Sequence, residues 1–178
     1  MNNKGNLTNE PPPLLPVIIG TGFGSGFWPR GPGTAGSVLA TLIWALMAYL
    51  GGFNGETLQS ITFFLVILST LLGTWATARL QPYWGEDPSR VVIDEMAGVW
   101  IPLSLITPFT TTGAPKDAWW WALVALVLFR FFDMVKPLGI KWLDRKEGAF
   151  YVMADDLLGG FYAAVVMLIA KIIFLWVR

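Results

Sequence analysis

Long apolar stretches separated by short polar segments are the feature that most constrains this chain of 178 residues. A helix that spans a bilayer needs about 20 mostly apolar residues, with about 17 as a lower limit. In chain order the apolar stretches cover about residues 37–50, 58–78, 96–109, 118–135 and 157–177. The second, fourth and fifth reach that length, whereas the first and third need their glycine- and proline-containing flanks. The pattern predicts an all-α integral membrane bundle with about five transmembrane helices, although the two shorter stretches also fit buried helices of a soluble bundle.

Composition supports this class and excludes several others. Only 13% of the residues are charged, about half of the roughly 25% that is typical of soluble domains. The 12 basic and 12 acidic residues balance, so nothing indicates a nucleic-acid-binding surface, and we expect no nucleic-acid partner. The chain has no cysteine and no histidine, which excludes disulfides, thiolate nucleophiles and the commonest zinc ligand.

Charge placement suggests how the chain is organised. Residues 1–13 are polar and proline-rich, without a basic region followed by an apolar core, and they predict a short flexible tail rather than a signal peptide. Residues 14–178 are predicted to form a single membrane-embedded domain. Lysine and arginine cluster in the N-terminal region and in the loops at 79–90 and 136–146. By the positive-inside rule these segments face the cytoplasm, with the N-terminus inside and the C-terminus outside.

Two acidic pairs share a local pattern. Asp94-Glu95 and Asp155-Asp156 are each followed by two apolar residues and a glycine, and both are flanked by apolar sequence. The glycine, Gly98 or Gly159, lies four positions after the first acid and would let another helix approach that face closely. Acids at a helix N-terminus can simply complement the helix dipole, but carboxylates at membrane depth are costly and usually functional. Because the predicted topology brings both pairs to one membrane face, they predict a shared site.

The fourth apolar stretch adds a third set of charges to that face. Arg130, Asp133 and Lys136 are spaced three residues apart, so successive pairs are neighbours on a helix surface. In a structural interpretation, the arginine snorkels and is tied to the aspartate, and the lysine is an ordinary cytoplasmic charge. In a functional interpretation, Asp133 is a further metal ligand, while Arg130 and Lys136 bind a phosphate.

Carboxylates from three parts of the chain can crowd together only if a cation or protons neutralise them. The predicted set, with both metal-binding and catalytic roles, is Asp94, Glu95, Asp133, Asp155 and Asp156. Because no histidine or cysteine is available, an all-oxygen site favours a hard cation, Mg²⁺ before Ca²⁺ or Mn²⁺.

The same absences narrow the possible phosphatase chemistry. Histidine and cysteine nucleophiles are excluded, and the chain has no Asp-x-Asp-x-Thr sequence. What remains is metal-assisted hydrolysis, in which Mg²⁺ neutralises phosphate charge and lowers the pKa of a bound water while a carboxylate acts as general base. Direct attack of a carboxylate on phosphorus is the variant left open.

A glycine-rich segment precedes the first apolar stretch. Residues 20–37 contain seven glycines interleaved with hydroxyl side chains and Arg30. Such a run can expose consecutive backbone N–H groups to an anion, although glycine-rich turns are often merely flexible. Arg30, Thr34 and Ser37 are the predicted further contacts to a substrate phosphate.

Six short motifs occur in a fixed order from about residue 20 to about residue 160. They are Gly22–Gly26, Pro32–Ser37, Asp94–Trp100, Phe129–Pro137, Ile140–Arg145 and Met153–Asp156. Together they resemble the phosphatidylglycerophosphatase A family of bacterial membrane enzymes. The chain departs from the family pattern at Gly139, where a second proline is usual, and at Lys146-Glu147-Gly148, where a His-Gly element is common. Neither departure touches the acidic pairs.

The resemblance implies a Mg²⁺-dependent enzyme that hydrolyses phosphatidylglycerophosphate to phosphatidylglycerol and phosphate in phospholipid biosynthesis, with the carboxylates above as its metal-binding and catalytic set. It implies a multi-pass protein of the bacterial cytoplasmic membrane whose active site faces the cytoplasm. The expected partners are that lipid and the surrounding membrane lipids, and the oligomeric state is left open. Two alternatives remain: a phosphatase for another phosphorylated lipid or phosphomonoester, and a small membrane transporter, whose charges should spread through the bilayer rather than crowd at helix ends.

Overall fold

All regular structure in the described part of the chain is helical. The computed structural model describes residues 8, 10–51, 53, 55–105, 115–137 and 139–177. In chain order the helices are α1 (Leu14–Gly20), a 3-10 turn (Ser25–Phe27), α2 (Pro32–Leu50), α3 (Gly55–Trp84), α4 (Ile93–Ser104), α5 (Pro115–Val135), α6 (Ile140–Leu143) and α7 (Ala149–Val177). The predicted all-α fold is confirmed.

Three helices, α2, α3 and α7, are long and apolar enough to cross a membrane by length and composition. They correspond to the first, second and fifth apolar stretches, and α7 begins early enough to include the second acidic pair. The count of about five spans stays a prediction. Most of the predicted tail at residues 1–13 lies outside the described residues, as does the end of the third apolar stretch.

Helix α4 lies at the centre of the bundle. It has 12 residues, which gives a length of about 18 Å against a hydrocarbon core of about 30 Å. Its sequence is apolar on nearly every face, and it packs against α2, α3 and α7, so only Glu95 and Ile101 escape full burial. Nε1 of Trp100 donates a hydrogen bond to the Ala40 carbonyl at 3.0 Å, which fixes α4 against α2. The described part of the third apolar stretch therefore belongs to a buried core helix, as a helix that is hydrophobic all round should.

The crossing of α4 and α7 brings two backbones into contact. A Cβ at Gly160 would overlap the carbonyl oxygen of Gly98, and a Cβ at Gly98 would lie 2.7 Å from the carbonyl oxygen of Asp156. Gly98 is the glycine predicted to admit another helix. On α7 the contact falls on Gly160 rather than on the predicted Gly159, where a Cβ would make only ordinary contacts, the nearest 3.8 Å away. The reason is that α7 turns the face of Asp156, four residues before Gly160, toward α4.

Gly160→Ala should reduce the free energy of unfolding by about 1–3 kcal/mol, the usual cost of forcing extra volume into a tightly packed contact. Gly159→Ala is the matched control, because its new methyl group finds space and alanine is the better helix former. Thermal unfolding of the purified proteins in detergent measures the difference. Equal melting temperatures for the two variants would contradict the backbone contact between α4 and α7.

Candidate active site

Four helix ends meet at one side of the bundle and line a cavity of about 400 Å³. Helix α2 contributes its first residues, α4 its first turn, α5 its last turns and α7 its second turn. All of the predicted acids line this cavity, namely Asp94, Glu95, Asp133, Asp155 and Asp156. The structure thus brings three distant segments of the chain together, and the roles of their acids as ligands or catalysts stay predictions.

Three of these acids form the tightest group. Asp94, Glu95 and Asp156 each offer one carboxylate oxygen, and these oxygens lie within 4.8 Å of one another. Asp94 and Asp156 are buried, and Oε2 of Glu95 is buried without a hydrogen-bond partner among the described residues. Like charges at this distance are tolerated only when protons or a cation neutralise them. The oxygen donors and the unpartnered Oε2 fit a hard divalent cation.

The start of α2 closes one side of this three-acid group. A Cβ at Gly33 would overlap Oε1 of Glu95 and lie 3.3 Å from Nη1 of Arg130. A side chain at residue 33 would therefore displace the Glu95 carboxylate, and the positive end of the α2 dipole favours that carboxylate. The sequence carried no signal for this role, because one glycine among seven cannot be singled out without its neighbour in space.

The two acids of the second pair point in different directions. Asp155 lies about 100° from Asp156 around the axis of α7, and its carboxylate is directed to Lys136 rather than to the acids of α4. Nζ of Lys136 lies 2.9 Å from Oδ2 of Asp155 and also contacts Oδ1 of Asp144. In this structure Asp155 is the ion-pair partner of Lys136 rather than a member of the three-acid group.

Lys136 is held tightly between these two carboxylates. Its φ is 47°, in the left-handed region that residues other than glycine rarely adopt, and Pro137 follows it. Burial by itself would lower the pKa of Lys136, but hydrogen bonds to Asp144 and Asp155 outweigh burial and raise the pKa above the ordinary lysine range. The amine is therefore a permanent cation at neutral pH. Asp144 was missed by the sequence reasoning, since it belongs to neither acidic pair.

Arg130 and Asp133 pair on the last turns of α5. Nη1 of Arg130 lies 2.7 Å from Oδ2 of Asp133, and the two side chains are 17% and 15% exposed. The contact lacks hydrogen-bond geometry, because Nη1 has no hydrogen-bond partner among the described residues. The arginine thus keeps donor capacity next to the three-acid group, which suits the functional interpretation, while its contact with Asp133 suits the structural one. Asp133 also interacts electrostatically with Glu95 and Asp156, so it borders the group without joining it.

In the first part of the glycine-rich segment, residues 21–28 do not present the predicted row of backbone N–H groups. From residue 21 to residue 28, every N–H donates to an acceptor within the segment or in α1. The prediction that these groups are exposed to an anion is wrong for this stretch, because its consecutive tight turns use their own donors.

The three side chains predicted from this segment lie outside the cavity. Arg30 and Thr34 are exposed, and Ser37 is buried with its hydroxyl donating to the Gly33 carbonyl at 2.9 Å. Only Gly31–Gly33 of the segment line the cavity. Ser37, in the second turn of α2, is directed into the bundle, so this structure does not bring the three side chains to the acids.

Comparison with known proteins gives consistent matches over nearly the whole chain. A family profile described as Phosphatidylglycerophosphatase A matches residues 18–171. A protein of Bacteroides thetaiotaomicron with the provisional name phosphatidylinositol-3-phosphatase is 47% identical over 161 residues, which cover 90% of this chain and 96% of the relative. Proteins named Phosphatidylglycerophosphatase A from Haemophilus influenzae and Escherichia coli are 35% and 34% identical, over 86% and 83% of this chain and 88% and 78% of their own lengths. No solved structure matches the chain significantly.

Lys136→Met should lower the free energy of unfolding by about 1–2 kcal/mol at pH 7, because buried Asp155 loses its cation. The loss should be smaller than for a fully buried ion pair, since the lysine is partly exposed. A lysine whose pKa is raised on folding contributes stability below its unfolded pKa of about 10.4, and that contribution is lost as the pH rises through the folded value. The stability difference from wild type should therefore be constant between about pH 7 and 9 and shrink above about pH 10.4.

Thermal unfolding in detergent at several pH values measures this difference. Lys141→Met is the matched control, because Lys141 is exposed on α6 and makes no ion pair among the described residues. If both variants melt together, Lys136 does not anchor Asp155.

Proposed function

Because the chain belongs to the phosphatidylglycerophosphatase A family, we propose that it hydrolyses the phosphomonoester of phosphatidylglycerophosphate, releasing phosphatidylglycerol and inorganic phosphate. The observation that carries this proposal is the three-acid group of Asp94, Glu95 and Asp156, whose carboxylate oxygens lie within 4.8 Å of one another. Arg130 lies beside them in the same cavity. A buried group of acids can bind an anionic substrate, with help from an adjacent arginine, only if the negative charge of the acids is compensated.

Magnesium is the proposed compensating charge. Asp94, Glu95 and Asp156 would hold it, and Asp133 is the nearest further carboxylate. The donors are all oxygens, and Oε2 of Glu95 has no other partner among the described residues, which is the chemistry that a hard cation requires. When bound, the ion supplies neutralisation of the phosphate charge and lowers the barrier to attack by water.

The residues of the chain perform the remaining steps. Arg130 donates from Nη1 to a phosphate oxygen and orients the monoester. A carboxylate of the site takes a proton from the attacking water, whose oxygen bonds to phosphorus. The bond between phosphorus and the headgroup oxygen breaks, and that oxygen leaves with a proton as the hydroxyl of phosphatidylglycerol. Lys136 does not contact the phosphate in this proposal. It neutralises Asp155 and so reduces the repulsion between the cavity and the anionic substrate.

The enzyme is proposed to work at the cytoplasmic face of the bacterial cytoplasmic membrane. The cavity lies at helix ends, and the flanking segments 79–90 and 136–146 together hold six lysine and arginine residues, which the positive-inside rule assigns to the cytoplasmic side. The acyl chains can then remain in the bilayer while the headgroup reaches the acids. Charges gathered at one end of a bundle also argue against the transporter alternative, which needs polar groups through the membrane depth.

A second candidate substrate is phosphatidylinositol 3-phosphate, which is favoured by the name of the Bacteroides relative and its 47% identity. The two headgroups share a chemical layout. In each, the phosphomonoester and the lipid phosphodiester are esters of the two outer carbons of a three-carbon unit whose middle carbon bears a hydroxyl group. A site that recognises this unit could accept either lipid, so the headgroup must be determined by assay.

Purified protein in mixed micelles should release phosphate from phosphatidylglycerophosphate in the presence of Mg²⁺, fall to background with a chelator, and recover when Mg²⁺ is added back. Phosphatidylinositol 3-phosphate, phosphatidic acid and a soluble phosphomonoester complete the substrate panel. Hydrolysis that persists in chelator would refute the metal proposal, and no turnover of any phosphorylated lipid would refute the proposed function.

Asp156→Asn should lower phosphate release at least about a hundredfold, since even residues that only support a metal ligand change activity ten- to a hundredfold. Folding should survive, because removing one of three crowded charges relieves repulsion. Phosphate release and the melting temperature are measured together. Glu56→Gln is the control, an exposed acid in the first turn of α3, and it should match wild type. Wild-type activity of Asp156→Asn would remove Asp156 from the mechanism.

A further inference from the structure

Lys146 has an unusual position at the edge of the candidate active site. Its ammonium lies 3.8 Å from the centre of the Trp142 ring and 5.3 Å from that of Tyr151. Trp142 belongs to α6 and Tyr151 to the first turn of α7, so the lysine connects the two helices across their loop. Aromatic faces attract a cation without neutralising it, and they hold the ammonium in one place.

The cations that line this cavity differ in their partners. Lys136 is paired with Asp144 and Asp155, and Arg130 with Asp133. Arg145 and Lys146 form no ion pair with any carboxylate of the described residues, and of these four cations Lys146 is the one that lies against aromatic rings. It is therefore a positioned positive charge that remains available to an anion.

The lysine lies within reach of the acids but apart from them. Lys146 and Tyr151 line the same cavity as Asp156. Tyr151 precedes Asp156 by five residues on α7, a displacement of about 7.5 Å along the helix axis at about 1.5 Å per residue. Because Tyr151 is separated in this way from Asp156, we expect an anion on Lys146 to be a different phosphate from the one at the three-acid group.

The surroundings of Lys146 are those expected of a residue at the level of lipid headgroups. Trp142 is 61% exposed and Phe150, next to Tyr151, is 57% exposed. Exposed aromatic side chains beside a lysine at a helix end are typical of the membrane interface, where phospholipid phosphates lie.

We propose that Lys146, held by Trp142 and Tyr151, binds the phosphodiester of the lipid substrate while the phosphomonoester lies at the three-acid group and Arg130. This inference rests on the proposed function and specifies its substrate class: a phospholipid whose headgroup carries a phosphomonoester three carbons away from the phosphodiester. The subsite contributes to substrate binding in the ground state and in the transition state alike, so it should act on KM rather than on kcat.

Lys146→Met keeps most of the length of the unbranched side chain and removes its charge. For phosphatidylglycerophosphate in mixed micelles with Mg²⁺, we expect KM to rise about ten- to a hundredfold, the range for loss of a hydrogen bond to a charged group, with kcat within about twofold of wild type. The inhibition constant of inorganic phosphate, which has no phosphodiester, should not change. Lys146→Arg should restore KM, because arginine keeps the charge and also stacks on aromatic rings.

Lys141→Met is the control for the loss of one positive charge near the membrane, since Lys141 is exposed on α6 and does not line the cavity, and it should behave like wild type. An unchanged KM in Lys146→Met overturns the inference, as does a parallel loss of phosphate inhibition, which would place Lys146 at the phosphomonoester. A wild-type protein that hydrolyses no phosphorylated lipid would instead refute the proposed function, and the subsite with it.

Discussion

The contact between the backbones of α4 and α7 is the constraint on which the site depends. Gly98 and Gly160 allow the two helices to touch, and one turn before each glycine stands an acid, Asp94 on α4 and Asp156 on α7. A close crossing leaves these side chains no room to separate, so the two carboxylates must share one buried space. The fold therefore creates a concentration of negative charge that only protons or a cation can stabilise.

The positively charged side chains around the three-acid group differ in their partners and therefore in their proposed roles. Arg130 lies against the acids and keeps an unused donor, which suits a phosphate oxygen. Lys136 forms ion pairs with two carboxylates and neutralises Asp155. Lys146 is held by aromatic rings and keeps its charge for an anion. The three-acid group is thus surrounded by cations that differ in how far carboxylates neutralise them. Such a site suits a substrate that carries two phosphates, provided that a metal ion compensates the charge of the acids.

Two separate phosphate-binding positions would also explain why the relatives carry the names of two different lipid phosphatases. Phosphatidylglycerophosphate and phosphatidylinositol 3-phosphate differ in the bulk of the headgroup but share the three-carbon separation of their two phosphates. A site that anchors one phosphate at an aromatic-held lysine and the other beside the acids would respond to that separation. Discrimination between the two lipids would then fall to the loops at the cavity mouth, where residues 86–89 and 145–147 lie.

The sequence by itself determined the helical class, the long apolar segments, and the gathering of five acids at one end of the bundle, namely Asp94, Glu95, Asp133, Asp155 and Asp156. These properties depend on segment length and on the cost of burying charge, which a linear pattern records. Only the tertiary structure decided that Asp156 joins the three-acid group while Asp155 pairs with Lys136. It also decided that the backbone N–H groups of residues 21–28 donate hydrogen bonds within their own turns and to α1. Neighbouring residues on a helix point about 100° apart, and the rotation that selects one of them is set by packing against another helix, which no local pattern contains.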